Sequence, residues 1–318
     1  MMTGLPKNAT NPFSSTDWPP PELLQLLRQL PHLTGRRKPY HHGGRRTAGL
    51  QTSGIEMADF RRYSQGEDYR LIDQFALARL DQLVIRLFHD RKSLPVCIFL
   101  DTSQSMFFGQ PDKFSTARNM ALLTGAAALL NQDRLWMMCL NAAGALLKMS
   151  FDRPQSIGTL INFLRMCGPH SGSHPPGLLR RLIAAGPRQG LLIMISDLLP
   201  AADMLEVFSI SAALHRQLSV LQVLSPQELS PADSPAAELV EPETGQRRRI
   251  SNDPSAKTVY AGNLARWLNQ IESASQKCGA DWSLISTADP LQSLFRGGNF
   301  GPWNENTGRS RTTNRKNF

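Results

Sequence analysis

Four cysteines in 318 residues, with no Cys-x-x-Cys pair among them, are too few and too scattered for a disulfide framework or a zinc site. Cys97, Cys139, Cys167 and Cys278 read instead as small hydrophobes. No uninterrupted apolar run approaches the ~20 residues of a membrane helix. The opening MMTGLPKNATNPFSSTDW has Pro6 and Pro12 where a secretory leader would carry its apolar region. The expectation is a cytoplasmic protein with no transmembrane segment. Three chemical fingerprints are also missing: the G-x-x-x-x-G-K-[ST] phosphate loop, G-x-G-x-x-G and the G-x-S-x-G nucleophile elbow. Their absence removes the usual sequence grounds for an NTPase, a dinucleotide enzyme or a serine hydrolase.

Charge is present, but not where a nucleic-acid surface needs it. Lys and Arg total 35 against 26 Asp and Glu, a formal charge of +9. The stretch Gly35–Arg46 holds five Lys/Arg and no acid, and the tail Gly297–Phe318 holds four against one Glu. These segments carry five and three of the nine, so the rest is nearly neutral. A DNA- or RNA-binding domain concentrates charge on a folded face beside a recognition motif, and no zinc-finger spacing or aromatic RNA-binding signature is present. No nucleic-acid partner is expected; solvated basic segments are.

Hydrophobic residues make up 41% of the chain, ample for a core. Residues 1–20, rich in Pro, Ser and Asn, are expected to be disordered, as is the basic tail 297–318. An amphipathic helix over Pro21–Leu30 opens an N-terminal extension that runs to residue 92. Within it, Gly54–Arg79 mixes charges with isolated aromatics at no helical period and reads as turns and short extended pieces, followed by a strand over Leu83–Phe88. From residue 93 to 296 apolar strands alternate with helices. The strands are VCIFL, Arg134–Leu140, Ala145–Met149, Gly190–Ser196, Leu218–Leu224 and Asp281–Ser286. The helices are Asp112–Leu130, Pro154–Met166, Gly177–Ala185, Ala201–His215 and Ala256–Cys278, the last closed by Gly279. This alternation predicts an α/β fold with a doubly wound, mostly parallel, Rossmann-like sheet. An insertion at about 226–255 carries a β-hairpin over Glu238–Ile250 that turns at Glu243-Thr244-Gly245.

Ligands of open α/β sheets bind beyond the carboxyl ends of the strands. After VCIFL comes Asp101-Thr102-Ser103-Gln104-Ser105, and after GLLIMI comes Ser196-Asp197. Two carboxylates and alternating hydroxyls on neighbouring strand ends suit a hard divalent cation, Mg²⁺ or Mn²⁺. Helix capping is the other use of the same residues. His170 and His174 flank Ser171 and Ser173, but nothing places the third group a nucleophile's base needs.

Asp-x-Ser-x-Ser after the first strand of the sheet, with a later strand-end Asp, resembles the metal-ion-dependent adhesion site of von Willebrand factor type A domains. That resemblance implies metal ligands at Asp101, Ser103, Ser105 and Asp197, with Ser173 standing where the family has Thr. Upstream, Gly54-x-Glu56-x-x-Asp59-x-x-Arg62-Tyr63-x-x-Gly66-x-Asp68-x-Arg70-x-Ile72-Asp73, then Ala78-Arg79 and Leu83-x-x-Arg86-x-Phe88, is similar to the signature of the bacterial domain of unknown function 58 family. Leu224-Ser225-Pro226-x-Glu228 and Tyr260 add to it; Gln74 stands where the family usually has Trp. Arg62, Tyr63, Asp68, Arg70, Asp73 and Arg79 are expected to form a structural or partner-facing network of charge-assisted hydrogen bonds. The family implies a non-enzymatic protein–protein interaction module acting with a MoxR-type AAA+ ATPase and its client. A divalent-metal-dependent hydrolase using the same strand ends is the alternative.

Overall fold

The computed structural model describes residues 18–33, 56–65, 67–69, 72–80, 82–89, 95–169, 181, 185–186, 190–199, 207–211, 217–230, 237–240, 247–250 and 254–291. Its elements begin with α1 (Pro21–Leu33), β1 (Glu56–Arg62), α2 (Gln74–Leu80), β2 (Val84–His89), β3 (Pro95–Leu100), α3 (Lys113–Leu130), β4 (Arg134–Leu140) and β5 (Leu146–Phe151). There follow α4 (Ile157–Met166), β6 (Leu191–Ser196), β7 (Gln217–Leu224), β8 (Ala237–Val240), β9 (Arg247–Ile250), α5 (Pro254–Cys278) and β10 (Asp281–Ser286). The chain divides into two compact units, 1–35 with 94–318, and 36–93.

In the larger unit six strands lie in the order β10-β7-β6-β3-β4-β5. The first five are parallel and β5 alone is antiparallel to its neighbour. The α/β expectation with a mostly parallel sheet therefore holds. Continuous apolar runs become central strands because both faces need covering: every residue of β6 is buried, as are Val96–Leu100 of β3. β5 has a different pattern, with Leu147, Lys148 and Ser150 exposed, as befits a sheet edge. Its strand was expected from residue 145 as one more member of the alternating series. The structure makes it the return arm of a hairpin, because the short connection Asn141–Ala145 cannot form a parallel crossover, which needs about a dozen residues. The Asn141 side chain accepts from the N–H groups of Ala143 and Ala145 at 3.0 and 2.8 Å and closes that turn.

Strand alternation divides the apolar side chains between two cores. Val96, Ile98, Leu100, Ile193 and Val223 meet α1, α3 and α4 on one face. Cys97, Phe99, Leu192, Met194 and Val220 meet Val207, Phe208 and Ile271 of α5 on the other. Helix α3 is buried around almost its whole circumference, and its N-cap Asp112 accepts the Ser115 N–H at 2.7 Å. On α1 the stripe Leu23, Leu26, Leu30 faces α3.

Two expected boundaries need correction here. Trp18 falls inside the stretch expected to be disordered, yet it is only 5% exposed; its indole N–H donates to Asn119 Oδ1 at 2.8 Å, and Arg118 stacks over its ring at 4.4 Å. Arg165 donates to its carbonyl oxygen at 2.7 and 2.9 Å. Helix α1, expected to belong with the extension through residue 92, divides with the sheet unit instead, because its leucine stripe is part of the sheet's core. At the other end α5 stops as expected: Gly279 takes φ +65°, a left-handed cap that a side chain disfavours. β8 and β9 pair antiparallel, so the inserted hairpin is present, with its turn residues outside the described ones. The helices expected at 177–185 and 201–215 are described only at 181, 185 and 207–211. The tail 297–318 and residues 1–17 lie outside the described residues. Among the cysteines, Cys97, Cys139 and Cys167 are buried, Cys278 is half-buried and all four are free.

The smaller unit contains β1 and β2, paired antiparallel with a bulge between Met57 and Asp59, and the short helix α2 between them. The strand expected from Leu83 begins at Val84. Leu83 is 47% exposed while Ile85 is fully buried.

Candidate functional site

The chain leaves β3 toward β4 on one side, while β6 and β7 line up on the other, so the connections diverge between the carboxyl ends of β3 and β6. Such a divergence opens the crevice where α/β sheets place their ligands. Asp101 and Asp197 are the residues that follow these two strands. The backbone N–H of Asp101 donates to Ile195 O at 3.0 Å, locking the two ends together. Thr102 ties the same end to β4 through its hydroxyl and Leu140 O, 3.0 Å apart.

Both carboxylates are fully buried and heavily bonded. Asp101 Oδ1 accepts the Ser103 N–H at 2.8 Å, and its Oδ2 accepts the Ser196 hydroxyl at 2.6 Å. Asp197 Oδ1 accepts the Leu199 N–H at 3.1 Å. The hydroxyls of Ser103 and Ser105 lie 3.0 Å apart. Of the five expected metal ligands the structure thus brings four together; Ser173 lies outside the described residues, as do His170 and His174.

A fifth participant was not expected. Lys113, the first residue of α3, is 1% exposed, and its Nζ donates to Asp197 Oδ2 at 2.8 Å and to Glu228 Oε1 at 2.5 Å. Burial pushes the Lys113 pKa down, but the Asp197 and Glu228 carboxylates outweigh it and hold the ammonium above its ordinary value. Burial pushes Asp197 the other way, upward; the Asp101 charge adds to that, and Lys113 offsets it only in part. Among the described residues, Lys113 is the cation set against Asp197 and Glu228.

Glu228 is positioned by its own turn. In Pro226–Leu229 the Ser225 N–H and hydroxyl donate to Glu228 Oε2 at 2.8 and 2.9 Å, the reach-back half of a capping box, with Pro at the first helical position. Tyr260 donates its hydroxyl to Glu228 O at 2.7 Å from α5. The loop after Asp101 comes up against this turn at Gly109, where φ is +98° and an added Cβ would stand 2.5 Å from Ser225 Cβ. Only glycine fits that approach.

A signal for Lys113 was present in the sequence. A lysine in the first turn of a helix opposes the helix dipole, and a lysine heading a helix apolar on most faces must be paired if it is buried. The apolar residues after the hydroxyl pair divide between roles: Met106 is fully buried, Phe107 stacks on Phe114 at 4.5 Å, and Phe108 is 45% exposed. After Asp197, Leu198 is buried at φ +62° while Leu199 is 36% exposed.

As arranged, these residues do not fit a resident divalent ion. Mg²⁺ requires near-octahedral oxygen ligands and keeps several waters. Here both carboxylate oxygens of Asp101 and both of Asp197 already accept a donor, and the groups are sealed from solvent. An ammonium and a divalent ion sharing Asp197 would repel by roughly 8 kcal/mol at ~4 Å and an effective dielectric of ~20. Among the described residues no three His, Cys, Asp or Glu side chains group closely enough to hold a metal ion.

Residues 59–267 match the model of the family described as Protein of unknown function DUF58, a span that runs from within β1 through β7 and the Glu228 turn into α5. The chain belongs to this family. Its relatives include Uncharacterized protein Rv1480 of Mycobacterium tuberculosis and Uncharacterized protein Mb1516 of Mycobacterium bovis, each 26% identical over 252 residues, covering 76% of this chain and 78% of theirs. Solved structures similar to this DUF58 chain include the conserved hypothetical protein BatB from Bacteroides thetaiotaomicron, at 17% identity and a TM-score of 0.40 over 65% of this chain and 96% of that one. Another is an aerotolerance-related membrane protein from Bacteroides fragilis, at 16% identity and a TM-score of 0.40 over 64% and 96%. Among the described residues no helix is long and apolar enough to cross a membrane.

The signature segment of this DUF58 chain serves its own small unit. Asp73 is 6% exposed and starts α2, its Oδ1 accepting the N–H groups of Phe75 and Ala76 at 2.9 and 3.3 Å. Tyr63 donates its hydroxyl to Glu67 O at 3.0 Å. Arg61 pairs with Glu67 at 2.7 Å. Arg62, Asp68 and Arg79 are exposed, and Arg70 lies outside the described residues.

Proposed function

We propose that this DUF58 chain is a non-enzymatic protein–protein interaction module of the von Willebrand factor type A kind, working in the cytoplasm with a MoxR-type AAA+ ATPase in the assembly or activation of other protein complexes. The observation that carries the recognition reading is the apolar rim that the strand-end loops expose. Phe108 and Leu199 lie in the two loops that start at Asp101 and Asp197, and both are large apolar side chains left 45% and 36% exposed. The carboxylates and hydroxyls of the same loops are bonded to one another and buried, so the exposed apolar side chains are what these loops offer a partner. The same burial weighs against the hydrolase alternative, since neither carboxylate faces open solvent where it would take a proton from water. The ATPase partnership comes from the family resemblance. The Mg²⁺ or Mn²⁺ expected at Asp101, Ser103, Ser105, Ser173 and Asp197 is not part of this reading.

The test is affinity capture of the full-length tagged chain from its own cells, read by mass spectrometry, comparing wild type with Phe108→Ser, Leu199→Ser and the double variant. The expected outcome is loss of one specific partner, with an AAA+ ATPase among the captured proteins of the wild type. An unchanged partner list from a folded double variant would sink the rim as the recognition surface.

A further inference from the structure

We infer that the cation of the strand-end site is the Lys113 ammonium, built into the chain, and that the site takes no divalent metal. Three independent features point the same way. Lys113 is among the largest fully buried side chains of the protein, a placement that lysine adopts only when its charge is matched. Its Nζ lies between carboxylates contributed by two different loops, Asp197 after β6 and Glu228 after β7, so one ammonium joins two strand ends in the way a bridging ion would. Its position at the start of α3 is anchored independently by the Asp112 cap, whose carboxylate accepts both the N–H and the hydroxyl of Ser115 at 2.7 Å. Helix α3 therefore delivers the charge to the site whenever the fold forms.

The remaining donors complete the arrangement without a metal. Ser196 and the Ser103 N–H hold Asp101, and the Leu199 N–H and Lys113 hold Asp197. Glu228, the second acid on Lys113, likewise comes from this chain and is fixed by Ser225. The consequence for docking rests on the recognition reading above. With Lys113 in place no open metal position awaits a partner's carboxylate, and a partner is recognised by the apolar rim of Phe108 and Leu199.

Mn²⁺ titration of the chelator-treated full-length chain, followed by calorimetry and by the electron paramagnetic resonance of free Mn²⁺, tests the inference. Wild type is expected to show no saturable binding up to millimolar Mn²⁺, and the same melting temperature in EDTA, Mg²⁺ and Mn²⁺. Lys113→Met is expected to melt on the order of 10 °C lower in EDTA and to regain part of that loss with Mn²⁺. Stoichiometric Mn²⁺ binding by wild type that Asp101→Asn abolishes overturns the inference, as does a Lys113→Met chain as stable as wild type in EDTA. Should Lys113→Met not fold, the wild-type titration decides alone. Metal binding by wild type would leave the rim variants' effect on capture untouched, and an inert rim would leave the Lys113 result untouched, so the two ideas fail separately.

Discussion

Lys113→Met keeps an apolar stem of similar length and removes the ammonium, which makes it the most informative single change in this protein. The ammonium donates to Asp197 at 2.8 Å and Glu228 at 2.5 Å. Glu228 is 18% exposed and recovers some hydration when the lysine is lost; Asp197 is fully buried and recovers none. Removing one partner of a buried ion pair costs roughly 3–5 kcal/mol because the other charge stays desolvated. About 4 kcal/mol is expected here, most of it from Asp197, a large part of a typical ~5–15 kcal/mol total stability. Urea unfolding followed by circular dichroism at neutral pH measures it, with the slope against urea expected to stay unchanged. Asp197→Asn removes the charge that needs the lysine, so the double variant should be less destabilised than the two singles combined, by about 2 kcal/mol. A loss below about 1 kcal/mol for Lys113→Met, or simple additivity in the cycle, would refute the assignment.

Two further outcomes are expected. The folded-state pKa of Lys113 is raised, so the stability it contributes is complete below the ordinary lysine value of ~10.4 and is lost as pH rises through the higher folded value. The gap in urea midpoint between wild type and Lys113→Met should accordingly be flat from neutral to mildly alkaline pH and narrow only above ~10.4, and a gap that closes below pH ~9 would show the sign to be wrong. Trp18→Ala empties a nearly buried site against Arg118 and Asn119 and should cost about 3–5 kcal/mol by chemical denaturation; a loss under 1 kcal/mol would mean that the N-terminal segment contributes little to the core.

Much of this fold is legible along the chain because its main sheet is built from runs whose chemistry is local. VCIFL and LLIMI carry no charged or strongly polar residue that would allow a solvated face, so they read as central parallel strands, and they are. The Asp-x-Ser-x-Ser loop and the later Asp197 could be placed at strand ends for the same reason, since a carboxylate directly after such a run must sit at the sheet's edge. Gly279 announced the end of α5 because a left-handed cap is a local requirement. What local chemistry could not decide was direction and partnership. β5 looks like any short strand until the hairpin at Asn141 reverses it. Trp18 sits in a polar, proline-rich opening, and its burial depends on Asn119, Arg118 and Arg165, which are far along the chain.

The sequence by itself determined which residues line the strand ends and that two acids would meet there. Tertiary structure alone decided that they would be buried and which cation meets Asp197. Lys113, Asp197 and Glu228 are separated by 84 and 115 positions from the lysine, and nothing in the residues around any one of them names the others. They converge because parallel strands joined by crossovers bring the starts of helices and the ends of strands to a single edge, where a charge buried on one connection can be matched only by a charge from another.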